Sequence, residues 1–308
     1  IYTPLYTLSL HDALPICKGR FGVTPSDSVY NYSMTRYRYP TESGILALTI
    51  IAILAAGVLT AGVTVCVAPL IVLAIVLLSY WQSQLHHREL MQSALPVTPA
   101  EAPRLAALVA DCVTRLDAPP VQTFVARSNQ RNAYTFGLTK PNVVVVYSGL
   151  LNLMDEDELR FVVGHELGHV ALGHTWLNTV LGGMGGVPVS LGAAVILTFA
   201  FRWWNRACEY SCDRAGLIAC GSLPKAISAL VKLAVGDVDT EAELQTALQV
   251  VEAEDDSAWN LLANTLSTHP LIAQRIAELR KFAASAEYRL SRPPICHSVK
   301  RAVNHPTG

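Results

Sequence analysis

Between Ser43 and His87 the chain carries no Asp, Glu, Lys or Arg, and within that interval Gly44–Trp81 is almost continuously apolar. As one helix, residues 44–81 would run roughly 57 Å at 1.5 Å per residue, against a bilayer core about 30 Å thick. One span is therefore too long and two fit. A break near Thr60-Ala61-Gly62 predicts two short helices joined by an uncharged turn, a transmembrane hairpin that satisfies its backbone polar groups within each helix. A pair of helices buried in a soluble core is the competing reading, but such helices ordinarily keep a polar face. Arg36 and Arg38 precede the first helix and Arg88 follows the second, so both ends are expected on the cytoplasmic side of the membrane.

That run accounts for much of an unusual composition. Only 15% of the 308 residues are charged, against about 25% in ordinary soluble proteins, while 51% are hydrophobic. Positive and negative side chains nearly cancel, leaving a net charge of −1, so no electrostatic footprint for nucleic acid exists and none is expected as a partner. Seven cysteines without a C-x-x-C pair, in a chain too long to need disulfide stapling, read as mostly free thiols.

Residues 1–33 precede the first methionine, Met34, and read as a non-native or disordered extension. Residues 34–43 read as a basic flank, 44–81 as the membrane hairpin, 82–103 as a proline-containing linker, 104–285 as the main domain and 286–308 as a tail. Within the domain, helical spacing over Glu101–Leu116 is followed by a strand at Val121–Ala126, a turn-rich stretch over 127–142 and a β-branched strand at Val143–Ser148. Asp155 with Glu158 three residues on predicts a capping box opening the next helix, and helical spacing returns at 224–236, 240–254 and 270–284.

The helix after Asp155 holds His165-Glu166-Leu167-Gly168-His169, an H-E-x-x-H motif. Histidines four apart share one helical face, so both imidazoles reach a single Zn²⁺, and Glu166 beside them can take a proton from a water at the metal. His174 lies about 140° further round the helix than His169 and reads as a surface or supporting histidine rather than a ligand. Downstream, Glu209 and Asp213 repeat the i, i+4 spacing. Glu209 suits the third ligand position, leaving the fourth open, and Asp213 could orient a ligating histidine through its other ring nitrogen. Cys208 and Cys212 are competing metal ligands, although cysteine-rich zinc sites are usually closed and structural.

In chain order, NAYTFG, VVVVYSGLL, HELGH, EYSCDRAG and STHPLIAQRI resemble metallopeptidase family forty-eight, the gluzincins that include the HtpX heat-shock protease and the CAAX prenyl endopeptidases, over residues 100–282. The resemblance implies an α+β, mainly helical zincin-like metalloprotease domain with a small sheet behind the hairpin. It implies one Zn²⁺ per chain on His165, His169 and Glu209, Glu166 as general base, and Asn132-Ala133 beside a substrate-binding edge strand. His269 resembles a histidine that steadies the oxyanion and Arg275 its companion, with helix capping as the alternative for both. Expected partners are polypeptides, misfolded or membrane-embedded, and the lipid bilayer, in membrane-protein quality control. The alternatives are a prenyl-protein or peptide-processing protease and a non-catalytic zinc-stabilised scaffold.

The zinc assignment constrains a second apolar stretch, Leu177–Phe201. With His165 and His169 before it and Glu209 after it, only an even number of crossings keeps the ligands on one side, and about 25 residues are too few for two full spans. An interfacial or re-entrant hairpin is expected, with Val187–Phe201 helical and Trp203-Trp204 at headgroup level; the alternative is that the stretch packs on the domain as a lid.

Overall fold

The structure, a computed structural model, describes residues 37–64, 93–136, 142–175, 192–236, 240–253 and 272–291, with a few isolated positions between 73 and 85 and at 238. Expectations for residues 1–33, for most of 65–92, for 176–191, for His269 and for the tail after 291 lie outside these.

Helix α1, Glu42–Thr64, opens the described chain. Short strand β1 (Leu95–Pro96) and helix α2 (Pro103–Leu116) follow, then strands β2 (Val121–Ala126), β3 (Ala133–Phe136) and β4 (Asn142–Tyr147). Helices α3 (Ser148–Leu153), α4 (Glu156–Ala171), α5 (Gly192–Cys220), α6 (Leu223–Val235), α7 (Glu241–Ala253), α8 (Ile272–Ala284) and α9 (Ala286–Ser291) complete the order. The architecture is thus mainly helical with one small mixed sheet, ordered β1-β2-β4-β3. β2 and β4 run parallel with Val121 opposite Asn142, and β3 runs antiparallel to β4 with Thr135 opposite Val144. β3 thereby forms one edge of the sheet.

Helix α4 carries the H-E-x-x-H motif through the middle of the domain, and its residues from Glu158 to Ala171 are almost all buried. A helix apolar on nearly every side, as FVVGHELGHVA is, belongs between layers. It packs against α2, α5, α6 and strands β3 and β4. Its start is fixed by the expected capping box. Asp155 Oδ1 accepts from the amides of Asp157 and Glu158, each at 3.0 Å, and Glu158 Oε2 accepts from Asp155 N at 2.9 Å. Ser228 and Lys232 of α6 hydrogen-bond the same Glu158 carboxylate at 2.6 and 2.8 Å, tying the two helices together.

Glycines set the distance between α4 and α5. A Cβ on Gly164 would lie 2.4 Å from Ala219 Cβ, and one on Gly216 would lie 2.7 Å from the Phe161 carbonyl oxygen. The two helices therefore pack closer than any larger side chain at these positions would allow.

Several expectations change. Helix α1 runs unbroken through Thr60-Ala61-Gly62 to Thr64, because no proline interrupts it and one glycine costs a helix only about 1 kcal/mol. The basic flank is docked on the domain: Tyr37 is fully buried in the main core, and Tyr39 N donates to Ser211 Oγ at 2.9 Å. The stretch read as turn-rich contains β3, whose Tyr134 and Phe136 rings stack 5.8 Å apart. The end of the second apolar stretch and the Glu209 segment form a single 29-residue helix, α5. Trp204 is not at a surface; it is 2% exposed, in a small core with Ile45, Ala207 and Cys208, while Trp203 is exposed. Among the described residues no helix is long and apolar enough to cross a membrane. The outer face of α1 is nonetheless apolar, with Leu48, Ile51, Leu54 and Val58 exposed.

Candidate metal centre

His165 and His169 project from α4 toward Glu209 on α5. His165 Nε2 lies 3.5 Å from Glu209 Oε2, and His169 Nε2 lies 3.6 Å from Glu209 Oε1. These separations are long for hydrogen bonds, and each is close to the about 3.3 Å between two ligand atoms on a tetrahedral Zn²⁺ with bonds of about 2.0–2.1 Å, the two histidines facing different oxygens of the one carboxylate. All three side chains are buried.

Each histidine is held from behind. Asp213, one turn after Glu209, places Oδ1 3.0 Å from His165 Nδ1. Arg275 of α8 clamps that carboxylate, donating from Nε to Oδ2 at 2.8 Å and from Nη2 to Oδ1 at 2.5 Å, and its Nη1 stands 3.3 Å from Glu209 Oε2. Burial by itself raises the Asp213 pKa, but the Arg275 guanidinium outweighs this and holds the carboxyl below its ordinary value. Arg275 thus bridges carboxylates and caps no helix. Behind His169 stands His174, with the two Nδ1 atoms 3.2 Å apart. His174 is 2% exposed, so the expectation of a surface histidine fails and only the supporting role remains. Where α4 ends, the chain turns at Gly173 in the left-handed region (φ 74°), which folds His174 back onto His169 instead of leaving it on the continued helical path.

Glu166 is buried with its carboxylate at the foot of strand β3. Thr135 Oγ1 lies 2.7 Å from Glu166 Oε2 and 3.2 Å from the Glu166 carbonyl oxygen. No spacing rule marks Thr135, since its partner lies on another element. Ala133 opens the same strand and Asn132 sits just before it, exposed, its carbonyl accepting from Tyr147 N at 3.1 Å.

The residues fit a divalent cation on charge as well as geometry. Glu166, Glu209 and Asp213 bring three carboxylates into one buried site with the Arg275 guanidinium against two of them, a donor set whose charge suits a dication. Cys212 Sγ also lies within 4.8 Å of ligand atoms on both histidines. It sits on the His174 side, 3.6 Å from His174 Nδ1, and burial pushes its thiol well above the ordinary range, whereas both Nε2 atoms face Glu209.

The model for peptidase family M48 matches residues 99–283, which contain every site residue described so far. The chain is 27% identical to protease HtpX homologues of Burkholderia mallei and Burkholderia pseudomallei, over 79% of its own length and 95% of theirs. It is 29% identical to the plastoglobule-localized metallopeptidase 48 of Arabidopsis thaliana, over 58% of its own length and 55% of that protein's. Among solved structures, Ste24p of S. mikatae aligns with a TM-score of 0.41 and 18% identity, covering 82% of this chain and 65% of that one. With the family model spanning well over half of it, the chain belongs to peptidase family M48 and is a metalloprotease.

Proposed function

We propose that the protein is a membrane-anchored zinc endopeptidase, with His165, His169 and Glu209 holding one Zn²⁺ and Glu166 as general base. The observation that carries this is the convergence of two Nε2 atoms and one carboxylate at 3.5–3.6 Å with Glu166 beside them. Zinc in such a site supplies Lewis acidity toward the scissile carbonyl and lowers the pKa of water. Glu166 takes the proton from the attacking water and passes it to the leaving nitrogen. Thr135 holds the Glu166 carboxylate in place for both transfers. The free edge of β3, preceded by Asn132, offers backbone groups with which an extended polypeptide can pair, laying its scissile bond beside Glu166. His269 is assigned the oxyanion role that the resemblance implies.

The exposed apolar face of α1 supports membrane attachment, since a row of large aliphatic side chains on one helix is costly in water. On this reading the anchor is a helical hairpin in a bacterial inner membrane, the domain faces the cytoplasm, and the substrates are misfolded or membrane-embedded polypeptides. The test is cleavage of unfolded casein by the detergent-solubilised protein. Chelation should abolish it and zinc restore it, and Glu166→Gln should keep one zinc per chain while losing hydrolysis. Full proteolysis by Glu166→Gln would refute the assignment.

A further inference from the structure

Glu42, the first residue of helix α1, is 1% exposed. A carboxylate placed so deep is tolerable only with donors around it, and three segments supply them. Arg38 Nη1 donates to Oε1 at 2.6 Å, the Ser211 hydroxyl of α5 donates to Oε2, and His174 Nε2 lies 3.0 Å from Oε1. The other nitrogen of His174 meets His169 Nδ1 at 3.2 Å, and Trp204 packs edge-on against the His174 ring with centroids 5.9 Å apart.

With Nε2 of His169 on the metal, as the proposed ligand set has it, its Nδ1 carries the proton and donates it to His174 Nδ1. His174 then carries its own proton on Nε2, and the acceptor for that proton is Glu42. We infer that His174 and Glu42 are positioning residues of the metal centre: the Glu42–His174–His169 chain orients the His169 ligand as Asp213 and Arg275 orient His165. The anchor helix is thereby wired to the metal site through its own first residue. This rests on the reading of His169 as a zinc ligand.

Glu42, His174 and Cys208 also bring one ligand atom each within 4.8 Å of one another, the spacing of a second metal cluster. The hydrogen-bond reading is favoured because Glu42 Oε1 already accepts from the Arg38 guanidinium, whose positive charge stands where a cation would have to bind. Burial also pushes the Cys208 thiol far above its ordinary range, disfavouring the thiolate that a metal needs.

The test is a double-mutant cycle on the full chain, with zinc content by elemental analysis and zinc affinity by competition with a chromophoric chelator. Partners of metal-ligating histidines typically contribute 10–100-fold in metal affinity. His174→Ala should therefore weaken zinc binding 10- to 100-fold and Glu42→Ala about tenfold, and Glu42→Ala should have no further effect once His174 is gone. If the alanine variants do not fold, Glu42→Gln carries the test. It keeps the shape and one acceptor oxygen but drops the charge, and should weaken zinc binding several-fold in a variant that still melts cooperatively. Unchanged affinity in the Glu42 variants, or additive losses in the cycle, would overturn the relay, as would two zinc ions per chain with one lost on Cys208→Ala. The control is His169→Ala. If that variant binds zinc as tightly as the parent, the ligand assignment fails; if it loses zinc while the Glu42 and His174 variants do not, only the relay fails.

Discussion

Gly164→Ala should damage the metal centre without touching a ligand. Its new Cβ would stand 2.4 Å from Ala219 Cβ and 3.1 Å from Gly216 Cα, and Ala219 is fully buried with no room to yield. Carbon atoms in ordinary contact sit about 3.5–4.0 Å apart, so α4 and α5 must part by about 1 Å at this point. Two effects oppose each other. Alanine in place of glycine favours the helix by about 1 kcal/mol, while overpacking a filled interior costs about 1–3 kcal/mol, so the net change is a destabilisation of at most about 2 kcal/mol. The larger consequence is for binding, because α4 carries both histidines and α5 carries Glu209 and Asp213. Parting the helices lengthens the 3.5 and 3.6 Å separations and the 3.0 Å Asp213–His165 contact together. Zinc affinity should fall at least tenfold, as when a histidine's supporting partner is lost. Chelator competition and thermal melting with and without zinc would measure both effects. Adding Ala219→Gly returns the space and should restore most of the zinc affinity. A Gly164→Ala variant that binds zinc as tightly as the parent would refute the claim that this glycine sets the ligand geometry.

Thr135→Val removes the hydroxyl from the Glu166 carboxylate with little change in shape, and should lower kcat about tenfold, equivalent to about 1.4 kcal/mol, while leaving zinc affinity alone. Equal kcat in steady-state peptide cleavage would remove Thr135 from the machinery. Asp155→Ala strips the N-cap of α4 and should cost about 1 kcal/mol in reversible unfolding, against a smaller loss for Asp155→Asn, which keeps the cap. Asp155 also titrates below its ordinary value, since burial raises its pKa but hydrogen bonds from Lys225 and the cap amides lower it more; its contribution is full above the ordinary carboxylate range and fades as pH falls through the lowered value. An acid-unfolding profile identical in parent and Asp155→Asn would contradict that sign.

How much of this was legible in the chain depended on how far apart the partners lie. Strand β2 matches its periodicity to the residue, and the capping box at Asp155 and Glu158 is where the local pattern puts it, because both signals are complete within a few residues. His165 with His169, and Glu209 with Asp213, are equally local pairs, so their shared faces follow from helical spacing alone. The supports of the site are another matter. Thr135 meets Glu166 across 31 residues, Arg275 meets Asp213 across 62, and Glu42 meets His174 across 132, distances over which no periodicity carries information. Local pattern alone does not mark strand β3, whose neighbourhood only the family resemblance implies, for a related reason: four residues between turn signals form a strand only because β4 lies beside them. Glu42 is the instructive case. It stands just before a charge-free run, inside the stretch read only as a basic flank. It is buried, and a buried carboxylate persists only where donors converge on it. Arg38 is the one donor within its own stretch of chain; Ser211 and His174 come from the two segments that also carry the metal ligands. Helix α1 is therefore tied to the candidate metal centre through a residue that no local pattern in the chain marks out.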